Sequence, residues 1–139
     1  MNTTNVKSAQ LNYDKYTANK YDRDIVNSIP FHRQIHSLIA KCIKKFNRNL
    51  EYRILDLGAG TAITSRIIRD ILPKAQFDLV DFSRQMLDGA KKKMGKNGVK
   101  YIFGDYTKIK FNKKYDIVVS VIGIHHQNTI GKKKLFKKI

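Results

Sequence analysis

The sequence is short of several residue types, and each shortage removes a class of protein. It has one cysteine, Cys42, in 139 residues. No disulfide can therefore close within the chain, and stability has to come from a packed core. The two prolines, Pro30 and Pro73, stand alone, and no proline-rich or Gly/Ser tract marks a linker between domains. Tryptophan is absent and Glu51 is the single glutamate. No apolar run approaches the length of a membrane span, and the opening MNTTNVKSAQLNYDKY lacks the apolar centre of a secretory signal. What is present is 42% hydrophobic residues spread along the chain, enough for one domain with a core. The expectation is a single soluble domain in a reducing cytoplasm, with no membrane partner.

Acidic residues are scarce: Lys and Arg outnumber Asp and Glu 28 to 11, giving a formal charge of +17. Such an excess suits nucleic acid, because clustered cations gain affinity by releasing counterions from phosphates. Its arrangement points elsewhere. The cations are mostly lysines in short scattered runs at 91–93, 113–114, 132–134 and 137–138. Arginine, the better reader of bases, is the minority, and no aromatic stretch forms a stacking platform. A solvated lysine surface is the favoured reading, with nucleic acid as the alternative partner.

Hydrophobic periodicity alternates between strand and helix. Residues 52–57 read as a buried strand, and 61–72 as a helix carrying Ile63, Ile67, Ile68 and Ile71 on one face, stopped by Pro73. Residues 76–81 form a second strand. Ser83 is an N-cap for a helix through Met94, which Gly95 closes. Residues 99–103 make a third strand, and the β-branched run at 115–121 suits a central strand covered on both faces. Upstream, 31–46 carries Ile35, Leu38, Ile39, Cys42 and Ile43 at helical spacing. Alternation of this kind predicts a parallel sheet with helices flanking it. The last stretch, NTIGKKKLFKKI, begins a helix with apolar positions Leu135, Phe136 and Ile139 and no following strand. A fold truncated after its fourth strand is the expectation. The strand at 115–121 would then lie at an exposed sheet edge open to self-association.

The informative stretch is YRILDLGAGTAITS, residues 52–65. An apolar strand ends in Asp56, and Gly58 and Gly60 follow with Ala59 between them. In doubly wound sheets ligands sit at the carboxyl ends of strands, and glycines there let the backbone turn tightly and approach a ligand closely. The dinucleotide fingerprint needs a third small residue at position 63, where Ile63 stands, so the pattern departs from the NAD type. Asp81, at the end of the next strand, is placed to grip a ribose diol.

The ordered set Asp56-Leu57-Gly58-Ala59-Gly60-Thr61, Asp81-Phe82-Ser83 with Met86-Leu87 behind it, Gly104-Asp105 and Asp116 to Ser120 resembles a class I S-adenosylmethionine-dependent methyltransferase. The resemblance runs from about Tyr13 onward, and His125-His126 is similar to the group containing ubiquinone and menaquinone biosynthesis methyltransferases. It implies a Rossmann-like fold with S-adenosyl-L-methionine as cofactor. Asp56, Gly58, Ala59 and Gly60 would hold the methionine end. Asp81 would accept from the ribose hydroxyls, Phe82 would pack on the adenine, and Asp105, with Tyr106 nearby, would read its amino group. Ser120 and Val121 would lie beside the methionine portion. Ala62 stands where the family has a further glycine, for which a modest effect on packing is expected. Asp116, at the start of a strand, is read as structural.

Methyl transfer needs chiefly an acceptor held in line behind the methyl group, and a base only where that acceptor keeps its proton. His125 and His126 are the candidates for that base. The other histidines, His32 and His36, lie one helical turn apart with no further ligand at metal-binding spacing, so no metal is expected. Residues 1–48 are read as a helical lid over the α/β core of 49–139, with Tyr13 and Tyr21 flanking the cofactor. Acceptor specificity is not legible. A small molecule is the first choice, RNA the second, and a cofactor-binding fragment without turnover the reading from another class.

Overall fold

Apolar and β-branched residues concentrate in four short segments, and in the computed structural model, which describes residues 17–139, these pair into one parallel sheet. Strand β1 (Arg53–Leu57) lies between β2 (Gln76–Asp81) and β4 (Ile117–Val119), and β3 (Val99–Phe103) pairs with the outer side of β2, giving the order β3-β2-β1-β4. The register aligns Asp56 with Leu79 on one side and with Val119 on the other. Helices α1 (Ala18–Ser28) and α2 (His32–Ile43) precede the sheet. Helices α3 (Ile63–Ile71) and α4 (Arg84–Met94) are the crossovers from β1 to β2 and from β2 to β3. A short 3-10 turn at Ile124–His126 leads into α5 (Thr129–Lys138). No helix among the described residues is long and apolar enough to cross a membrane.

Strand side chains alternate between two cores. Ile54, Phe77 and Leu79 point to the side of α2, α3 and α4, where they meet Ile43, Ile68, Leu72 and Ala90. Leu55, Leu57 and Val80 point to the other side, against Tyr106 and Leu135. Each fully buried Leu, Ile or Phe contributes about 1.5–3 kcal/mol relative to exposure, so the sheet is clamped from both faces. Of the apolar positions expected in the last helix, Leu135 is buried, while Phe136 and Ile139 stay exposed.

Strand β4 is shorter than the expected 115–121 and lies at the sheet edge, half-buried rather than covered on both faces. Asp116 explains its start: one carboxylate oxygen accepts from Arg53 N at 2.7 Å while its own N–H donates to Arg53 O at 2.9 Å. This is the structural role read for it. The strand ends because Ser120 Oγ turns back to donate to Leu57 O at 2.6 Å, and Ile122 takes a left-handed conformation.

Candidate active site

The sheet order reverses beside β1, since its successor β2 lies on one side and β4 on the other. At the carboxyl ends of these strands opens a cavity of about 450 Å³. Its walls come from α1 and its C-cap (Tyr21, Asp24, Ile25, Ser28, Ile29), the turn after β1 (Gly58, Gly60), the end of β2 and the following helix (Asp81, Phe82, Met86), Tyr106, and the segment after β4 (Val121, Ile122, Gly123, His126).

The turn is built for close approach. Gly58 and Gly60 have φ of 74° and 54°, and Ala62 has φ 65°, so left-handed residues recur before α3 begins at Ile63. A Cβ on Gly58 would stand 3.2 Å from the Gly123 backbone, and one on Gly60 3.9 Å from the Tyr21 ring. Gly58 N and Ala59 N both donate to Val80 O, at 2.8 and 3.0 Å. That tie fixes the turn to the neighbouring strand. At Ala62 the missing glycine is a backbone matter rather than the packing matter expected, because a side chain in the left-handed region costs roughly 1–2 kcal/mol.

Asp81 is buried, and its two oxygens accept from Gly60 N and Ser83 N, each at 2.8 Å. These bonds fix the orientation of the carboxylate at the point where Asp81 lines the cavity. Asp56 lies deeper, and Ser65 Oγ donates to it at 2.6 Å. Burial is the main reason its pKa is pushed up to about 7. Ser65 works against the shift, and the Asp81 charge adds to it.

Asp56 borders a smaller recess of about 40 Å³ that shares Tyr21, Gly58 and Gly60 with the main cavity. His32, His36, Thr61 and Thr64 complete its polar lining. His36 bridges Thr64 Oγ1 at 3.1 Å and His32 O at 2.9 Å. The buried His32 has its pKa lowered by desolvation and by His36, with Asp22 opposing.

The structure brings together much of the expected set. Gly58, Gly60, Asp81, Phe82, Tyr106, Val121, Tyr21 and His126 line the main cavity, and Asp56 and Ala59 line the recess. Tyr106 donates from its hydroxyl to Gly123 O at 2.9 Å. Burial and then His125 lower the pKa of His126, so its imidazole is neutral at neutral pH. His125 stacks on His126 at 3.9 Å between ring centroids and does not line the cavity. Asp105 does not line it either, because its carboxylate is taken up by Thr107 N and Thr107 Oγ1 at 2.9 and 2.6 Å. Ser120 is spent on Leu57 O. Tyr13 lies outside the described residues. No group of three or more ligating side chains that could hold a metal occurs among the described residues.

Sequence reasoning gave no site role to Ile25, Ile29, Met86 or Gly123. The first two carry a signal, a Tyr21-Ile25-Ile29 stripe at helical spacing in an otherwise polar segment. Gly123 carries another, a lone glycine just past a strand end. A Cβ there would fall 2.6 Å from Ser120 Oγ and 2.7 Å from Leu57 O.

A family model described as "Methyltransferase domain" matches residues 54–139. The chain is 32% identical over 106 residues to a malonyl-[acyl-carrier protein] O-methyltransferase of Priestia megaterium, covering 75% of this chain and 38% of that one. It spans about a third of the length of the curated relatives it matches. These relatives carry a different name from the quinone-pathway group that the histidine pair resembles. Among solved structures, a complex of DhpI with SAM superposes with a TM-score of 0.77 at 17% identity, covering 99% of this chain and 61% of the other. A SAM-dependent methyltransferase from Thiobacillus denitrificans, in complex with S-adenosyl-L-homocysteine, gives 0.62 at 21% identity, covering 79% and 45%. At these identities the structural likeness bears on fold.

Proposed function

The chain belongs to the methyltransferase domain family, and from that premise we propose that its cavity holds S-adenosyl-L-methionine and that methyl transfer to a small-molecule acceptor takes place at its mouth. The observation that carries the reading is the polarity of the lining. Bare backbone at Gly58 and Gly60 and the aimed carboxylate of Asp81 share the lining with the apolar surfaces of Phe82, Met86 and Tyr106. This suits a ligand with a charged amino-acid end, a diol and a flat ring. Ile63 in place of a small residue weighs against NAD.

When bound, the sulfonium supplies an activated methyl group. The protein's part is to bind, orient and exclude water. Asp81 accepts from the diol, and Phe82 and Met86 offer the ring an apolar slot. His126 lines the same cavity as a neutral imidazole and can take a proton from an acceptor that keeps one. A carboxylate acceptor, the type named by the malonyl relatives, would need no base. With such an acceptor His126 would only shape the mouth.

Isothermal titration with S-adenosylhomocysteine, with NAD as control, tests the reading. The expected outcome is binding of the former alone, weakened at least about tenfold by Asp81→Ala, since hydrogen bonds to a charged group contribute about 1.5–3 kcal/mol. A folded chain that binds neither, or NAD equally well, would refute it.

A further inference from the structure

Helix α1 and its C-cap Ile29 supply five of the cavity's lining residues, yet what holds the helix there is not the cavity. Tyr21 faces the cavity and rests on Gly60. Its neighbour Asp22 turns the other way, accepts a hydrogen bond from Thr61 Oγ1 and forms an ion pair with Lys93 at the end of α4. Arg66 NH2 of α3 stands 3.5 Å from the same carboxylate. Two consecutive residues of α1 thus engage two consecutive residues of the glycine turn, and one carboxylate ties α1 to both crossover helices.

We propose that Asp22 is the positioning residue that clasps α1 over the cavity and so sets how long the cofactor stays bound. The functional half of this inference rests on the cofactor reading above. Asp22 and Lys93 are mostly withdrawn from solvent, with side chains 22% and 19% exposed, while Arg66 is 39% exposed. The carboxylate therefore has one well-shielded partner and one screened one. Removing its charge leaves Lys93 shielded without a counter-ion, a cost that α1 relieves by swinging out. The effect is directed because Thr61 belongs to the turn itself. When the hydroxyl loses its acceptor, Gly60 loses the Tyr21 ring beside it.

The test uses the whole chain and two readouts. Stopped-flow displacement of S-adenosylhomocysteine gives the dissociation rate. Hydrogen exchange compares amides of residues 18–28 with those of β1 and β2. Asp22→Asn should speed dissociation on the order of tenfold and speed exchange in α1, while the sheet amides stay as slow as in the native chain. Lys93→Met should do the same to a lesser degree, the double variant should be no worse than Asp22→Asn alone, and Asp22→Glu should recover part of the loss. Equal dissociation rates for native and Asp22→Asn would overturn the proposal. So would sheet exchange that accelerates along with α1, which marks a general structural role. If the native chain binds no S-adenosylhomocysteine, the cofactor reading has failed; exchange in α1 then decides the clasp by itself, faster in Asp22→Asn if it exists and unchanged if it does not.

Discussion

Replacing Gly89 by alanine separates helix α1 from the body of the protein. Gly89 lies inside α4, where alanine is favoured over glycine by about 0.8–1.0 kcal/mol in a helix interior. A Cβ placed there stands 2.2 Å from Ala18 Cβ of α1, and its other near neighbours, Thr61 Cγ2 and Ala18 Cα, lie at the ordinary contact distances of 3.6 and 3.7 Å. Carbon atoms pack at about 3.5–4.0 Å, so α1 has to withdraw at Ala18 by roughly 1.5 Å. Ala18 is one helical turn before Asp22, and a shift of that size exceeds what hydrogen bonds to Thr61 and Lys93 tolerate. The same substitution therefore steadies α4 and loosens α1. Thermal unfolding should show a midpoint equal to the native one or up to about a few degrees higher, while titration with S-adenosylhomocysteine shows affinity reduced about tenfold, the loss expected from opening the clasp. Tight binding with unchanged exchange in α1 would refute the reasoning, because α1 would then have absorbed the methyl without moving. A midpoint many degrees lower would refute it differently, by showing that α1 and the core unfold as one unit.

Two further outcomes follow from the buried turn. Asp56 titrates at about 7 in the folded chain against an ordinary value of 3.8, so the folded state holds a proton that the unfolded state has released; its contribution to stability is full below the unfolded value and is lost as pH rises through about 7. Thermal midpoints measured from about pH 4.5 to 7.5 should fall with pH, and fall less in Asp56→Asn; parallel slopes would count against the shift. Gly123→Ala should destabilise by about 1–3 kcal/mol through overpacking against Ser120 Oγ and Leu57 O, read as a lower denaturant midpoint with weaker S-adenosylhomocysteine binding; an unchanged midpoint would mean that the segment after β4 yields freely.

Where local chemistry and tertiary demand agree, the elements were legible. Residues 76–81 and 99–103 are strands to the residue, and Ser83 and Gly95 cap α4 as read, with Ser83 Oγ accepting from Met86 N at 3.3 Å. Departures cluster at the site. Helix α3 begins at Ile63 rather than 61 because Ala62 is left-handed. Its inward face holds Thr64 and Ser65 beside Ile68, while Ile63, Ile67 and Ile71 are half-buried. Hydrophobic periodicity cannot anticipate two hydroxyls turned inward to serve His36 and Asp56. Strand β4 misled for a similar reason: β-branched residues run on to Val121, but Ser120 spends its hydroxyl on Leu57 O and the chain turns away. Asp105 followed a motif position, and a hydroxyl two residues on competed for it.

Strand β1 stands between β2 and β4, so the two walls of the cavity hang from different pairings. The pairing with β2 runs five residues and carries Gly58, Gly60 and Asp81 at its end. That with β4 runs three and hands over at once to a loop, a single turn of 3-10 helix and a lysine-rich helix. The second wall leans on the first where Gly123 packs against Leu57 O and Gly58. The wall on the longer pairing therefore takes its shape from the sheet itself, while the other rests on loop geometry that a strand pattern does not encode.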